Sequence, residues 1–473
     1  MKASSCAWIV ALSTTGLALG ACQPATPPNV VVISIDSLRA DHVGAYGYAR
    51  PTTPVIDRFA AEGVVFEHAF STTSWTLPAH VALFTGMDDL SHTVVHDLHA
   101  FPKEVPVLTD ALREEGYFTI GYFSGPYLNP GFGFDRGFDE YHDCTSYGRA
   151  AKEPGRQNRL RDGELAASHR DVTNPIVLDE VTRRIGRGLP QPFFLFIHLW
   201  DVHFDYVPPE RYWRLFDPGY DGDFTGRNFA LSGDFHAKMR YRDFRHAVAL
   251  YDGEIRYTDD TIGTIVEEMR ERGLLANTVV VILSDHGDEF LEHGGKGHRR
   301  TLFDEVVRIP LILWYPGRLE PMRRRDLASI ADVAPTVLDL VGLPAGRLGA
   351  TGRSLLNDAG PPRSLLLELE VPQYGVRQVA LRSRDGKLIH HHASLFKRER
   401  WEGYDLLADP AELAPLGEGE PAFAAVGGML EELRVAEGAA RERGERIAAA
   451  SPVATPRVDA GTMDQLKALG YVQ

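Results

Sequence analysis

Three short apolar runs, each ending in residues able to hold a metal or move a proton, constrain this chain more than any other feature. Residues 30–35 (VVVISI) end at Asp36, residues 193–197 (FFLFI) lead into His198, Asp201 and His203, and residues 279–283 (VVVIL) end in Ser284, Asp285 and His286. Apolar runs of this length, bounded by polar residues, have the composition of strands buried on both faces, as parallel strands are in α/β proteins. Open parallel sheets present their functional groups beyond the carboxyl ends of their strands, so three such ends predict one shared site.

The sequence between the runs alternates strand and helix. Residues 54–62 (PVIDRFAAE) predict a helix stopped by Gly63, residues 106–115 one stopped by Gly116, and residues 245–272 a long one stopped by Gly273. Residues 118–123 (FTIGYF) and 310–314 (PLILW) predict further strands. The alternation implies an α/β fold over residues 29–345, with a central, mostly parallel sheet flanked by helices. Residues 145–175 and 205–240 lack a period and read as loops at the mouth of the site. Over residues 346–473 the pattern changes. Two strand-like segments, 376–382 and 387–392, flank Asp385-Gly386, a hairpin signal, and residues 422–448 are rich in Ala, Glu and Arg, as a surface helix would be. A small C-terminal antiparallel α+β subdomain is expected. His390, His391 and His392 fall in one of its strands, where alternation sends neighbouring side chains to opposite faces, so a packed strand is favoured there over a metal site.

A formal net charge of −15 argues against a nucleic-acid partner, because such binders use a basic surface to displace phosphate counterions. A local cleft can still oppose the global sign and take an anionic small substrate. At the start of the chain, Met1-Lys2 precedes an apolar stretch over residues 7–21, and Leu19-Gly20-Ala21-Cys22 resembles the lipobox of bacterial lipoproteins. The expectation is a signal peptide over 1–21, lipidation of Cys22, a Pro-rich linker over 22–28, and an exported protein tethered through a lipid anchor in the cell envelope, facing the periplasm or at the outer membrane. Cys6 leaves with the signal and Cys22 carries lipid, so Cys144 has no cysteine partner in the chain.

The fourth informative segment is residues 71–86, STTSWTLPAHVALFTG. Pro78 suits a first helical turn and places Thr76 near the helix start. Amides and the positive dipole end there favour an anion or a nucleophilic oxygen, although Thr is also an ordinary capping residue. Taken with Asp36-Ser37-Leu38-Arg39-Ala40-Asp41-His42, Thr76-Leu77-Pro78-Ala79-His80, Asp201-Val202-His203, Ser284-Asp285-His286-Gly287-Asp288, Gly297-His298 and Tyr404-Asp405-Leu406, this segment resembles the sulfatase family of the alkaline phosphatase superfamily, in order and over nearly the whole mature chain. The resemblance implies a divalent metal held by Asp36, Asp285 and His286 and coordinated by the oxygen of the nucleophile Thr76. It further implies an active-site histidine at His203 and a later site residue at His298 or Arg299. His80, Lys296 and Asp201 would surround the transferred group, with Asp201, His203 and His298 as candidates for a second metal.

The departures from the family pattern also bear on the chemistry. Formylglycine sulfatases oxidise a Cys or Ser at the nucleophile position, and Thr76 cannot become that aldehyde. His80 stands where Arg follows the modified residue, Ser37 where a second metal-binding Asp stands, and the Lys-x-His pair that helps bind sulfate is missing near residues 122–125. A Thr ester must be cleaved by water, as phosphoryl esters on Ser or Thr are in the superfamily. One imidazole and two carboxylates suit Mn or Zn better than the all-oxygen Ca site of formylglycine sulfatases. The expected activity is hydrolysis of a sulfate, phosphate or phosphonate ester of a small molecule, glycan or lipid. The alternatives are an envelope phospho-headgroup transferase and a catalytically inactive binding lipoprotein.

Overall fold

The computed structural model describes residues 26–145, 173–230, 232–356, 362–394, 398–417 and 423–472. The expected signal peptide, the lipidated Cys22, the start of the linker and most of the 145–175 loop lie outside these residues.

The main sheet is built from β1 (Asn29–Ile35), β2 (Val64–Phe70), β3 (Phe118–Phe123), β4 (Glu140–Asp143), β5 (Phe193–Leu199) and β6 (Thr278–Ser284). After two short pairs of residues, β7 (Glu289–Phe290) and β8 (Lys296–Gly297), it is joined by β9 (Arg308–Ile309), β10 (Leu311–Trp314) and β11 (Met322–Ser329). Its order is β11-β2-β10-β6-β1-β5-β3-β4, with β9 beside β2. The three apolar runs become β1, β5 and β6, and these are immediate neighbours: β1 lies between the other two and parallel to both. Every residue of the three is buried, which is why their sequences carry no polar alternation. Strand β10 runs antiparallel to both β6 and β2, so the sheet is mixed rather than wholly parallel.

Helices Pro54–Glu62, Asn174–Gly186 and Tyr241–Glu271 cover the sheet, the last starting four residues before its predicted position because Arg240 is already its extended cap. Among the described residues no helix is long and apolar enough to cross a membrane.

The C-terminal part is a five-stranded antiparallel sheet of β12 (Leu365–Val371), β13 (Val376–Arg382), β14 (Gly386–His391), β15 (Arg400–Asp405) and β16 (Leu416–Gly417). Asp385-Gly386 makes the predicted hairpin between β13 and β14. Helix Met429–Ala450 packs on one face of this sheet through Leu433, which meets Val379, Leu381 and Leu388. The opposite face, with Leu367, Ala380 and Ile389, belongs to the main core. After that helix the chain returns to the main domain through helix Ala460–Ala468, which packs near residues 126–128 after β3.

Candidate active site

Because β6, β1 and β5 are adjacent and parallel, their carboxyl ends bring Asp285 with His286, Asp36, and Asp201 with His203 to one edge. Ligand atoms of Asp36, Asp285 and His286 all lie within 4.8 Å of one another, and all three residues are wholly buried. Ser37 turns the chain in a left-handed conformation (φ 57°), so that its amide donates to Asp285 Oδ1 (3.1 Å) and its hydroxyl to Asp36 Oδ1 (2.8 Å). Asp285 Oδ2 is left buried with no hydrogen bond. Burial pushes the Asp36 carboxyl up to about 6, and burial together with Asp36 raises Asp285. Burial disfavours charge on His286, but Asp285 and Asp36 outweigh it and raise the imidazole. Two carboxylates and an imidazole packed this closely, with an orphaned oxygen among them, form a donor set that fits a divalent cation.

Thr76 opens the helix Thr76–Thr85, but it is not the cap. That position is Trp75, with no side-chain capping bond. The Thr76 hydroxyl instead donates to Asp36 Oδ2 (3.3 Å) and sits 3.3 Å from His286 Nε2. The ordinary role of a helix-start threonine is therefore unfilled, and its oxygen points into the acidic cluster.

A residue that the sequence does not mark completes the far side. Tyr471 is buried, and its hydroxyl lies 2.6 Å from His203 Nε2 and 3.1 Å from His298 Nε2. His203 Nδ1 faces the Phe204 carbonyl at 2.5 Å, so that nitrogen donates and Nε2 accepts the phenol proton. His298 Nδ1 meets Asp288 Oδ1 at 2.6 Å, and burial, with His286 and Arg299 nearby, keeps His298 neutral. The phenol is thus set between the two imidazoles, donating to His203 and lying 3.1 Å from His298 Nε2. Tyr471→Phe keeps the ring and removes the link. It is expected to lower kcat/KM by about 10- to 100-fold with the fold intact, the cost of one or two orphaned buried hydrogen bonds, and a pH–rate profile of altered shape would separate this role from simple packing.

A family model described as Sulfatase matches residues 28–343. The chain belongs to the sulfatase family. It is therefore a sulfatase-type ester hydrolase of the alkaline phosphatase superfamily. A second model, N-sulphoglucosamine sulphohydrolase, C-terminal, matches residues 292–436. Similar proteins include N-acetylglucosamine-6-O-sulfatase of Bacteroides thetaiotaomicron, 22% identical over 86% of this chain and 85% of that protein. Choline-sulfatase of Rhizobium meliloti is 23% identical over 83% of this chain and 82% of its own length. Among solved structures, phosphonate monoester hydrolase of Agrobacterium radiobacter superposes with a TM-score of 0.68 at 21% identity, covering 87% of this chain and 96% of that one.

Within this sulfatase-family site, several residues expected to touch substrate serve other purposes. Asp201 is committed to the start of helix Asn174–Gly186: its Oδ1 accepts from the Thr173 amide (2.6 Å) and hydroxyl (2.5 Å), and its Oδ2 from the Asn174 amide (2.7 Å). It joins no metal-competent cluster among the described residues. Two further clusters adjoin the Asp36, Asp285 and His286 set, His286 with Asp288 and His298, and His80 with His198 and Asp285, and Asp201 is in neither. Lys296 Nζ donates to the carbonyls of Phe229 (2.6 Å) and Ser232 (2.7 Å), holding a loop. Arg299 is 1% exposed, bound to Asp97 (2.7 and 2.9 Å) and Tyr127 (3.0 Å), with its guanidinium carbon 4.4 Å from the Trp75 ring and 4.6 Å from that of Tyr471. Its charge supports the walls of the site.

His80 lies beneath Thr76 instead of beside its hydroxyl. It is wholly buried, with Nδ1 2.9 Å from the Thr76 carbonyl and Nε2 2.9 Å from Ser34 Oγ, and burial holds its pKa down at about 3. His198, inside β5, packs against it edge-on at 5.0 Å and stands 3.4 Å from Asp36 Oδ2, with neither ring nitrogen hydrogen-bonded. The two neutral imidazoles form the floor of the acidic cluster. His80→Ala should destabilise the protein by about 2–3 kcal/mol, since it leaves a cavity and orphans the Ser34 hydroxyl, and a urea midpoint measurement reads it directly.

Proposed function

We propose that this sulfatase-family chain hydrolyses a sulfate, phosphate or phosphonate ester of a small molecule, glycan or lipid, with Thr76 as nucleophile and a divalent cation held by Asp36, Asp285 and His286. The observation that carries this is the Thr76 hydroxyl, free of any capping duty and 3.3 Å from both Asp36 Oδ2 and His286 Nε2. When bound, the cation supplies positive charge against the ester oxygens and favours ionisation of the hydroxyl. The imidazole in the donor set suits Mn or Zn better than Ca.

The chain's own residues account for the remaining steps. Asp36 accepts the Thr76 hydrogen bond and so aims the hydroxyl, whose proton passes to water as its oxygen attacks. The threonine oxygen bonds to sulfur or phosphorus as the bond to the leaving oxygen breaks. The His203, Tyr471 and His298 group is assigned protonation of the departing oxygen, with the Tyr471 hydroxyl as the proton source. Water then cleaves the threonine ester, restoring the hydroxyl and releasing the free oxyanion. The names of relatives, N-acetylglucosamine-6-O-sulfatase and choline-sulfatase, set sulfate esters of sugars and small alcohols as the first substrates to test.

The test is a panel of aryl sulfate, phosphate monoester, phosphodiester and phosphonate monoester, assayed on chelated protein reloaded with Mn, Zn or Ca. Metal-dependent release from at least one ester is expected. Silence on every ester with metal bound would overturn the hydrolase, and release only in the presence of an alcohol acceptor would make the enzyme a transferase. The same proposal tethers the enzyme through Cys22. Cys22→Ala should move it from the membrane to the soluble fraction of a lipoprotein-processing host.

A further inference from the structure

The zipper that holds helix Met429–Ala450 to the C-terminal sheet ends in an unusual way. Leu388 on β14 meets Leu433 on the helix, and alternation along the strand sends His390 and His392 out on the same side as Leu388. Four residues on, one helical turn past Leu433, stands Glu437. Where the apolar contact would continue, two imidazoles face a carboxylate. His390 is 8% exposed and the two rings lie 4.0 Å apart.

One nitrogen of each ring in this pair is left without a partner. His390 Nδ1 and His392 Nε2 are both buried and make no hydrogen bond. His392 Nε2 is 3.9 Å from Glu437 Oε1, and ligand atoms of His390, His392 and Glu437 all lie within 4.8 Å of one another. The His390 ring is fixed from outside the cluster: it stacks flat on Trp401 at 3.9 Å, and its Nε2 is 2.7 Å from Glu399 Oε1. A carboxylate on the far nitrogen selects the tautomer whose lone pair sits on Nδ1, which is the arrangement that orients and strengthens a metal-binding imidazole. Arg441 bonds Glu437 Oε1 (3.0 and 2.8 Å), which fixes this carboxylate while leaving its second oxygen. His391, between His390 and His392, points the other way and is held by Glu402 at 2.9 Å.

We propose that His390, His392 and Glu437 bind one borderline divalent cation, with Zn2+ as the reference ion, in a structural site that pins helix Met429–Ala450 to β14. Two imidazoles and one carboxylate select Zn2+, Co2+, Ni2+ or Cu2+ over Ca2+ and Mg2+, and three protein ligands leave a fourth position for water. The site is separate from the reaction centre, which draws on other elements and does not depend on these residues.

The experiment compares paired full-length proteins in an Asp285→Ala background, which weakens the reaction centre's own claim on metal, with and without His392→Ala. After chelation, reloading with Zn2+ and desalting, the pair should differ by about one equivalent of zinc by elemental analysis, and the rise in melting temperature that zinc brings should be larger for the protein retaining His392. Glu437→Gln, which preserves size and the helix, provides a second pair should His392→Ala fail to fold, with the same difference expected. Co2+ substitution should give a tetrahedral-type visible spectrum that either variant abolishes. Equal zinc content and equal zinc-dependent melting across the pairs would overturn the site. Because the comparison is between paired proteins, this result stands whether or not Asp285 proves to be a metal ligand.

Discussion

Thr76→Ala is expected to lower kcat/KM for any ester the enzyme turns over by at least about 10³-fold while leaving metal content unchanged, because it removes the oxygen proposed to attack and none of the three side chains proposed to hold the cation. Thr76→Ser should keep most of the rate, since it preserves the hydroxyl 3.3 Å from Asp36 and His286 and loses only a methyl group. Mass spectrometry of quenched wild-type enzyme should find the sulfuryl or phosphoryl group on the peptide carrying Thr76. An alanine variant with near-wild-type turnover would leave the threonine as a mere helix residue, and the chemistry would have to be sought at the His203, Tyr471 and His298 group.

Asp285→Ala has the second-largest expected effect. It removes a ligand and the carboxylate that helps raise His286, so metal content should fall from about one equivalent to near zero and activity by about 10³-fold. The pH dependence of metal stabilisation follows from the same residues. In the metal-free protein burial lifts Asp36 from the ordinary carboxylate value of 3.8 to about 6, so proton binding stabilises that form below about 4 and the benefit is lost as pH rises through 6. The cation requires the ionised carboxylate and so gains over the same interval. The difference in melting temperature between metal-loaded and chelated enzyme should therefore widen from pH 4.5 to 7, by an amount corresponding to about 2–3 kcal/mol if Asp36 acts alone. A constant difference would detach Asp36 from the metal.

The parts of this site that could be read from sequence were those fixed by local pattern. Strands β1, β5 and β6 are buried on both faces, so continuous apolar composition marks them, and the residues at their ends follow at once. The Asp385-Gly386 hairpin and the helix at Pro54 were equally local. What escaped was decided by long-range packing. Asp201 has the right residue type at the right strand end, but the neighbouring helix start takes both of its oxygens. His80 and His198 lie beneath the cluster because one sits a turn into a helix whose residues are all buried and the other inside a strand. Tyr471 carries no local signal at all: helix Ala460–Ala468 delivers it, held by Thr462, whose hydroxyl accepts from Asn129 Nδ2 at 3.0 Å. A Gly-Tyr pair after an apolar helical turn is the only hint in the sequence, and many chains contain one.

The central place of β1 has a consequence for how the molecule opens. Its two neighbours come from residues 193–199 and 278–284, so the catalytic edge is held by pairings between segments far apart in the chain. Such contacts form late and break together. The amides of Asp36, Ser37 and His286 should exchange with deuterium only when the whole sheet melts, whereas those near the tips of the 205–240 loop exchange early. The reaction centre is then the least yielding part of the protein, and adaptation to a new ester would have to come from the loops around it.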